Sequence, residues 1–326
     1  MQQMNQMMNR RDPYCLGGGT QCDDLRNAIL LIDKPRGKTS YETVSEVRRL
    51  TGAARTGHAG TLDRFASGLL VACSGQATKL ARYLLEDDKV YCGAVKLGVS
   101  TDTDDGEGAV IEERPVDGIT REGVIACAEK FTGELMQLPP RYSALKINGR
   151  RASDRARDGE NVELSPRRVM VYHFDVFDID PDNARFFFRL RCSKGTYVRS
   201  LARDMGRELG TGAYLESLRR TGAGLFSIDD AATLEELESH VSGCGLEKRF
   251  MIQPADALSN YGRIAVKNSA RERVLHGAGF PAGDALKIDD KGGKIFIILD
   301  ESENIIAIAD VDIQKWHIKY LNVFNS

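Results

Sequence analysis

A single carboxylate among glycines is the feature of this sequence that could do chemistry. Asp63 lies between Gly57 and Gly68, with Gly60 before it and His58 five residues upstream. Glycine permits positive φ angles and close approach of the backbone to a ligand, and reactive side chains often lie on such loops. Asp63 could therefore act as a nucleophile. From the local residues alone, a helix cap or a turn residue is the simpler interpretation.

Two other kinds of site are excluded by spacing. Gly37-Lys38-Thr39 looks like the end of a phosphate-binding P-loop, but that pattern needs a glycine where the chain has Ile32. The seven cysteines form no C-x-x-C pair and the five histidines form no H-E-x-x-H motif, so we expect no metal site. An odd, scattered set of cysteines is typical of the reducing cytosol, and we expect a cytoplasmic protein.

Charge is distributed unevenly along the 326 residues. The formal net charge of −2 by itself argues against a nucleic-acid-binding protein. However, Arg185–Arg207 contains seven basic residues and one acidic residue, and Pro139–Arg168 contains eight basic and four acidic residues. Because phosphate neutralisation is a local effect, the two clusters suggest a polyanion site. A solvated face that keeps the protein soluble explains the charge alone equally well.

The elements that must position these residues alternate between strands and helices. Periodicity predicts strands at Ala28–Asp33, Gly68–Cys73, Lys89–Val99, Val169–Ile179 and Arg185–Cys192. It predicts helices at Ser40–Leu50, capped by Ser40, and at Ala77–Leu85, Val124–Phe131, Thr196–Leu209 and Leu234–Val241. Tyr214–Arg219 and Gly224–Ile228 are short apolar segments, and Leu138–Arg168 is predicted to be a long surface excursion.

The domain organisation predicted from this pattern has three parts. Residues 1–27 are rich in Gln, Asn, Met and Gly and are expected to form a disordered leader. Residues 28–255 form an α+β domain with a mixed sheet and flanking helices. Short β-type runs at Arg263–Val266, Ala285–Ile288, Ile295–Leu299 and Ile305–Val311 predict a small all-β domain at 256–326. No apolar run is long enough to span a membrane.

Four motifs, in this order, resemble those of the TruB family, the bacterial tRNA pseudouridine-55 synthases. The first is Ile32–Gly37 together with the Gly57–Gly68 loop, and the second is Asp88-Lys89-Val90-Tyr91, followed by Thr101–Asp104. The third is Tyr142–Lys146, and the fourth is Cys192–Leu201 with Leu218-Arg219-Arg220. The resemblance covers about residues 28–228, and the tail more weakly resembles a PUA-like RNA-binding domain.

The resemblance implies roles for individual residues. Asp63 matches the nucleophilic aspartate, Tyr91 the tyrosine that stacks on the target base, and Arg199 the arginine that pairs with the catalytic carboxylate. His58, Tyr197 and Leu218 match residues that line the nucleotide pocket. The excursion at about 138–168 matches the thumb that closes over the RNA. The basic residues expected to contact RNA are Arg141, Lys146, Arg150, Arg151, Lys194 and Arg203.

The implied reaction is the isomerisation of uridine to pseudouridine at position 55 in the T arm of tRNA, after the base has been flipped out of its stack. The resemblance implies no cofactor, no metal and no guide RNA, and we expect a monomer. One departure concerns Arg64, because the family usually has proline after the catalytic aspartate. A second is that no aromatic residue occurs near Ser153. Two alternatives stay open: a guide-RNA-dependent relative, and an RNA-binding or RNA-folding module in which catalysis is secondary.

Overall fold

A mixed α+β chain with two main sheets is observed in the computed structural model. It describes residues 25–143, 145–147, 149–158, 160, 164–243 and 248–324. Ten strands form one large sheet and five form a second, C-terminal sheet. The predicted fold class, a mixed sheet with flanking helices followed by a β-rich tail, is confirmed.

The elements of the first half follow one another closely. They are β1 (Ile29–Lys34), α1 (Ser40–Thr51), β2 (Thr56–Ala59), β3 (Ser67–Ser74), α2 (Ala81–Leu84), β4 (Lys89–Leu97), β5 (Val99–Thr101), β6 (Val110–Glu113), α3 (Arg121–Lys130) and β7 (Gly133–Gln137). The middle of the chain contains β8 (Lys146–Ile147), β9 (Arg150–Arg151), α4 (Ala152–Arg157), β10 (Arg167–Asp180), β11 (Arg185–Cys192), α5 (Val198–Glu208), β12 (Ala213–Ala223), β13 (Phe226–Ser227) and α6 (Leu234–Val241). The last part contains β14 (Met251–Ile252), α7 (Pro254–Ala257), β15 (Gly262–Val266), α8 (Asn268–Leu275), β16 (Ala285–Asp289), β17 (Ile295–Leu299), β18 (Ile305–Asp312) and β19 (His317–Val323).

The large sheet places the Asp63 loop beside its centre. Its strand order is β14-β1-β3-β12-β4-β11-β10-β7, with β2 and β13 pairing outside this path. β3 and β12 run parallel, with Arg220 opposite Gly68. A Cβ atom on Gly68, whose φ is 102°, would lie 2.3 Å from the carbonyl oxygen of Arg220, so only glycine allows this approach. The loop that contains Asp63 leads directly into this point of contact.

Helix α1 begins one residue earlier than its predicted cap implies. Thr39, not Ser40, is the N-cap: its hydroxyl accepts from the Glu42 N–H, and the Glu42 side chain accepts from the Thr39 N–H, which is a capping box. The prediction of Ser40 as the cap was wrong because the Ser40 hydroxyl is used elsewhere. It is buried and bonds the backbone of Leu62 instead.

Two other predicted elements differ from the structure. Tyr214–Arg219 belongs to one continuous strand, β12, whose register shifts between Leu215 and Ser217 and between Arg220 and Gly222. These shifts interrupt the alternation of apolar residues, so the period of two does not run through the strand. Ala77–Leu85 is not one helix, because a 3-10 helix at Gly75–Leu80 precedes the single turn of α2.

The excursion at 138–168 contains short regular elements in the part that the structure describes. β8 and β9 form a hairpin in which Lys146 pairs with Arg151 and Ile147 with Arg150. α4 follows immediately. At the base of the excursion, the Leu138 carbonyl accepts hydrogen bonds from Ser200 Oγ and Arg203 Nη2 of α5, at 2.9 and 3.0 Å. The excursion is therefore anchored at the start of the helix that also carries Arg199.

The C-terminal sheet has the order β16-β15-β17-β18-β19. Ile297, Leu299 and Ile308 of this sheet belong to the same buried cluster as Leu30 and Leu70 of the large sheet. Two elements of this part were not predicted. The first is α8, which packs against the sheet through Ala270 and Val274. The second is β19, which was not recognised as a strand because polar residues alternate with its apolar ones. The domain boundary near residue 256 stays a prediction.

Most of the predicted leader, residues 1–24, lies outside the described residues. Leu25 is 1% exposed and packs in the core of the large sheet. The Asn27 side chain accepts a hydrogen bond of 2.9 Å from the Gln76 N–H. The predicted end of the leader at residue 27 was therefore too late. Among the described helices, none has the length and the apolar content needed to cross a membrane.

Candidate active site

Asp63 and Arg199 meet as an ion pair, although 136 residues separate them in the chain. Arg199 Nε lies 2.9 Å from Asp63 Oδ2. The guanidinium also donates from Nη1 to the Thr103 carbonyl and from Nη2 to the Tyr142 carbonyl, both at 2.9 Å. Arg199 is 5% exposed and lies in the first turn of α5. Because its other nitrogens are engaged, the direction in which it faces Asp63 is fixed.

A second carboxylate, Asp105, completes this cluster and was missed by the sequence analysis. Asp105 Oδ2 lies 3.5 Å from Arg199 Nη1. Its Oδ1 accepts from Thr103 Oγ1 at 2.6 Å and from the Glu107 N–H at 3.0 Å. Asp105 is buried. The Thr101–Asp104 motif ends one residue before it, and the only signal in the sequence was a further carboxylate directly after that motif.

Burial and the neighbouring charges act in opposite directions on the pKa of Asp63. Burial raises the pKa of Asp63 above its usual value, the Arg199 guanidinium lowers it in part, and the charge of Asp105 raises it further. Burial also raises the pKa of Tyr91, with Arg220 acting in the opposite direction. Tyr91 is therefore a neutral phenol near pH 7, and Arg199 is the main group that favours the ionised form of Asp63.

A cavity of about 540 Å³ opens above this pair. Its wall contains Asp63, Tyr91, Arg199, Tyr197 and Leu218, so the structure brings five of the six predicted pocket residues together. The cavity thus combines charged side chains with aromatic and apolar surface, as sites for small organic ligands do.

His58 is not among the described residues that form this wall. It lies on β2, where it pairs with Ala72 of β3. Burial, followed by the charge of Arg220, lowers the pKa of His58. The role of His58 in the nucleotide pocket therefore stays a prediction, and its half-buried ring lies on the strand that precedes the Asp63 loop.

Two buried cations to which the sequence analysis assigned no role bond backbone carbonyls near the site: Arg220 bonds the Asp63 loop, and Lys34 bonds the segment that joins β1 to α1. Arg220, 1% exposed, donates to the carbonyls of Leu69 at 2.7 Å and Gly60 at 3.1 Å. Lys34, which is fully buried, donates to the carbonyls of Pro35 and Lys38 at 2.9 and 2.6 Å. Burial lowers the pKa of Lys34 to about 8, and the charge of Asp63 acts against this.

The start of α5 is held by a side-chain amide. The Tyr197 N–H donates to Gln137 Oε1 at 2.8 Å, and Gln137 Nε2 donates to the Tyr197 carbonyl at 3.0 Å. Gln137 is 3% exposed and ends β7. This pair of bonds fixes the residue that precedes the helix, and thus the direction from which Arg199 approaches the loop.

The six predicted RNA contacts lie in different settings. Arg141 is exposed. Lys194 lines the cavity and forms an ion pair with Glu86, which also lines it. Arg150 pairs with Asp158 at 2.5 Å and with Glu160 at 3.0 Å. The side chains of Lys146 and Arg151 lie outside the described part of the chain.

Arg203 is the predicted contact that the structure contradicts. Its side chain is 14% exposed and forms ion pairs with Asp104 at 3.0 Å and Asp204 at 2.9 Å. It also bonds the Leu138 carbonyl. Because its donors are occupied inside the protein, Arg203 anchors the excursion and does not present charge to RNA. Arg167 and Arg168, which belong to the basic cluster but were not singled out, do line the cavity.

Comparison with known proteins gives consistent results. Residues 48–198 match the N-terminal domain of the TruB family of pseudouridylate synthases. Residues 199–259 match the C-terminal domain of tRNA pseudouridylate synthase B. The tRNA pseudouridine synthase B of Stutzerimonas stutzeri is 40% identical over 285 residues, which are 85% of this chain and 92% of that protein. That of Thermobifida fusca is 47% identical over 219 residues, 65% of this chain and 75% of its own length.

A solved structure has the same fold. A chain in the crystal structure of a Cbf5-Nop10-Gar1 complex aligns with a TM-score of 0.71 and 24% identity, over 94% of this chain and 87% of that one. At this identity the likeness concerns the fold alone. The family matches, the identity to full-length relatives and the Asp63–Arg199 pair lead to one conclusion: this chain belongs to the TruB family of pseudouridylate synthases.

Proposed function

We propose that this protein isomerises uridine to pseudouridine at position 55 in the T arm of tRNA. The observation that carries the proposal is the Asp63–Arg199 ion pair at the base of a cavity walled by Tyr91, Tyr197 and Leu218. It occurs in a chain whose full-length relatives are named tRNA pseudouridine synthase B. Family membership supports the reaction, and the geometry supports the assignment of residues.

The chemistry needs one well-placed carboxylate. The bond between ribose C1′ and uracil N1 breaks, the base turns, and a bond forms between C1′ and C5, while the C5 proton is lost and N1 gains one. Nothing is oxidised and no phosphate is consumed, so no cofactor is required. Asp63 attacks C1′ or C6, or stabilises the glycosyl centre during an elimination. Arg199 keeps Asp63 ionised and oriented in each case.

Access to the target uridine requires base flipping. Extruding a stacked base costs a few kcal/mol, and an aromatic ring that receives the base recovers part of it. Tyr91 is the candidate for this stacking, since it lies in the cavity wall and is held from both sides by β11 and β12. Leu218 and Tyr197 would then enclose the ribose and the rest of the base.

The cavity entrance suits the sugar–phosphate backbone of a stem-loop. Lys194, Arg167 and Arg168 lie on its wall, as does Ser143 from the first part of the excursion. RNA proteins recognise folded stems chiefly through backbone and shape. We further propose that the enzyme acts as a monomer in the cytoplasm and needs no guide RNA; in support of the last point, the name of its relative, tRNA pseudouridine synthase B, mentions tRNA and no guide.

The test is an incubation of purified protein with an unmodified tRNA transcript, without cofactor or guide RNA, followed by base-specific chemical labelling of pseudouridine. A single signal at position 55 is expected. Asp63→Asn should abolish the signal while the affinity for tRNA stays close to that of the wild type. Glu107→Gln, which neutralises an exposed carboxylate in the neighbouring loop, is the matched control and should retain activity. Turnover by Asp63→Asn would refute the assignment of Asp63.

A further inference from the structure

Asp63 begins a tight turn whose second position is occupied by Arg64. The Ala66 N–H donates to the Asp63 carbonyl at 3.2 Å, which closes a four-residue turn from Asp63 to Ala66. The second position of such turns favours proline, since its ring presets φ near the required value. Arginine brings no such restraint. The backbone beside the candidate nucleophile must therefore be restrained by contacts with other parts of the chain.

Gly37 provides these contacts through two hydrogen bonds in opposite directions. The Gly37 N–H donates to the Arg64 carbonyl at 2.8 Å. Arg64 Nε donates to the Gly37 carbonyl, also at 2.8 Å. Gly37 has a φ of 89°, in the region that favours glycine. The second of these bonds depends on the Arg64 side chain and could not be made by proline.

The residue on the other side of Asp63 is held in the same way. The Leu62 N–H donates to Ser40 Oγ at 2.8 Å, and Ser40 Oγ donates to the Leu62 carbonyl at 3.0 Å. Gly37 lies in the segment that joins β1 to α1, and Ser40 is the first residue of α1. One short stretch of the chain thus bonds both sequence neighbours of Asp63.

We propose that Arg64 is a positioning residue for the reaction: through its side-chain bond to Gly37 it fixes the turn that aims the Asp63 carboxylate at Arg199. The inference rests on the proposed function. It differs from the obvious alternative, in which the exposed Arg64 guanidinium only attracts RNA phosphates. If Arg64 positions the turn, the group that matters is the Nε donor. If Arg64 only attracts RNA, the group that matters is the positive charge of the guanidinium.

Two substitutions whose side chains have the same length separate the effect of the Nε donor from the effect of the positive charge. In Arg64→Gln the amide nitrogen follows Cδ, as Nε does in arginine, so the donor to Gly37 is kept and the charge is lost. Arg64→Met has neither donor nor charge. Arg36→Met is the matched control, because Arg36 is an exposed arginine one residue from Gly37 that makes no hydrogen bond or ion pair with the described residues.

Each variant is assayed in single turnover, with enzyme in excess over tRNA, for the rate of pseudouridine formation. Its dissociation constant for tRNA is measured at two salt concentrations, and its melting curve is compared with that of the wild type. We expect Arg64→Met to slow the reaction about tenfold, the rate equivalent of one hydrogen bond to a charged group, with tRNA binding changed little. Arg64→Gln should restore most of that rate, and Arg36→Met should leave the rate unchanged.

Three results would overturn the proposal. An unchanged rate in Arg64→Met would show that the bond to Gly37 is dispensable. Equal defects in Arg64→Gln and Arg64→Met, with weaker and less salt-dependent binding, would assign Arg64 to phosphate contact. A wild-type protein that forms no pseudouridine would refute the proposed function and this inference with it, whereas an active wild type with either of the first two results refutes the inference alone.

Discussion

Replacing Gln137 by leucine should loosen the start of α5 and with it the approach of Arg199 to Asp63. The Gln137 amide makes two hydrogen bonds with the backbone of Tyr197, at 2.8 and 3.0 Å. Leucine has a similar volume but no polar group. The substitution therefore removes both bonds without opening a large cavity, and it leaves the N–H and the carbonyl of Tyr197 without these partners.

The expected magnitude follows from the Tyr197 N–H, because the Tyr197 carbonyl keeps a hydrogen bond of 3.2 Å from the Leu201 N–H. A buried group that loses its partner costs about 1–3 kcal/mol. Tyr197 is only half-buried, so water can replace part of the loss, and we expect the free energy of unfolding to fall by about 1–3 kcal/mol. For a chain of this length that corresponds to a drop of about 2–4 °C in Tm. A displacement of Arg199 by a fraction of an ångström should slow the chemical step by about 10–100-fold.

The assay combines thermal unfolding with single-turnover pseudouridine formation, and Gln137→Glu provides the control. A protonated glutamic acid has one donor and one acceptor, as the amide has, whereas the carboxylate would face the Tyr197 carbonyl with like charge. The pKa of the introduced glutamate should therefore be higher in the folded state than its unfolded value of about 4.3. Its stabilising effect is then complete below that value and is lost as the pH rises through the folded-state pKa.

The reasoning fails if Gln137→Leu melts within about 1 °C of the wild type and reacts at the same rate. It also fails if the stability of Gln137→Glu relative to wild type does not change with pH. In either case the two hydrogen bonds would contribute nothing that water does not supply.

Three further predictions concern the charged groups of the site. Because burial raises the pKa of Asp63, kcat/KM should fall on the acid side at a pH above the usual aspartate value of about 3.9. Asp105→Asn should move this acid-side fall in the pH profile to lower pH. If the fall did not move, the charge of Asp105 would not act on Asp63. Burial at this position disfavours a charged side chain, so the Tm of Asp63→Asn at pH 7 should be no lower than that of the wild type. A clearly lower Tm would contradict this expectation. Glu86→Gln should free Lys194 and tighten tRNA binding with a steeper dependence on salt, measured by filter binding; unchanged binding would show that Lys194 does not contact RNA.

Local sequence predicted most elements, and the exceptions have physical causes. The strand at Ala28–Asp33 and the helix at Leu234–Val241 agree with β1 and α6 because their patterns are uninterrupted. β12 was predicted only over Tyr214–Arg219, because the bulge between Arg220 and Gly222 interrupts the alternation of apolar residues beyond that point. The Ser40 cap was wrong because a hydroxyl at a helix start can cap or can bond a distant loop, and only the folded chain decides between them.

The sequence by itself determined the order of the motifs, and through them the family and the identity of Asp63, Arg199 and Tyr91 as candidates. It could do so because residue types and spacings within a motif are local properties. The tertiary structure decided which side chains meet. Asp105 joins the pair, Arg203 forms ion pairs inside the protein, and Arg64 bonds Gly37. These outcomes depend on contacts between distant segments and on which donors are buried, and no local pattern contains that information.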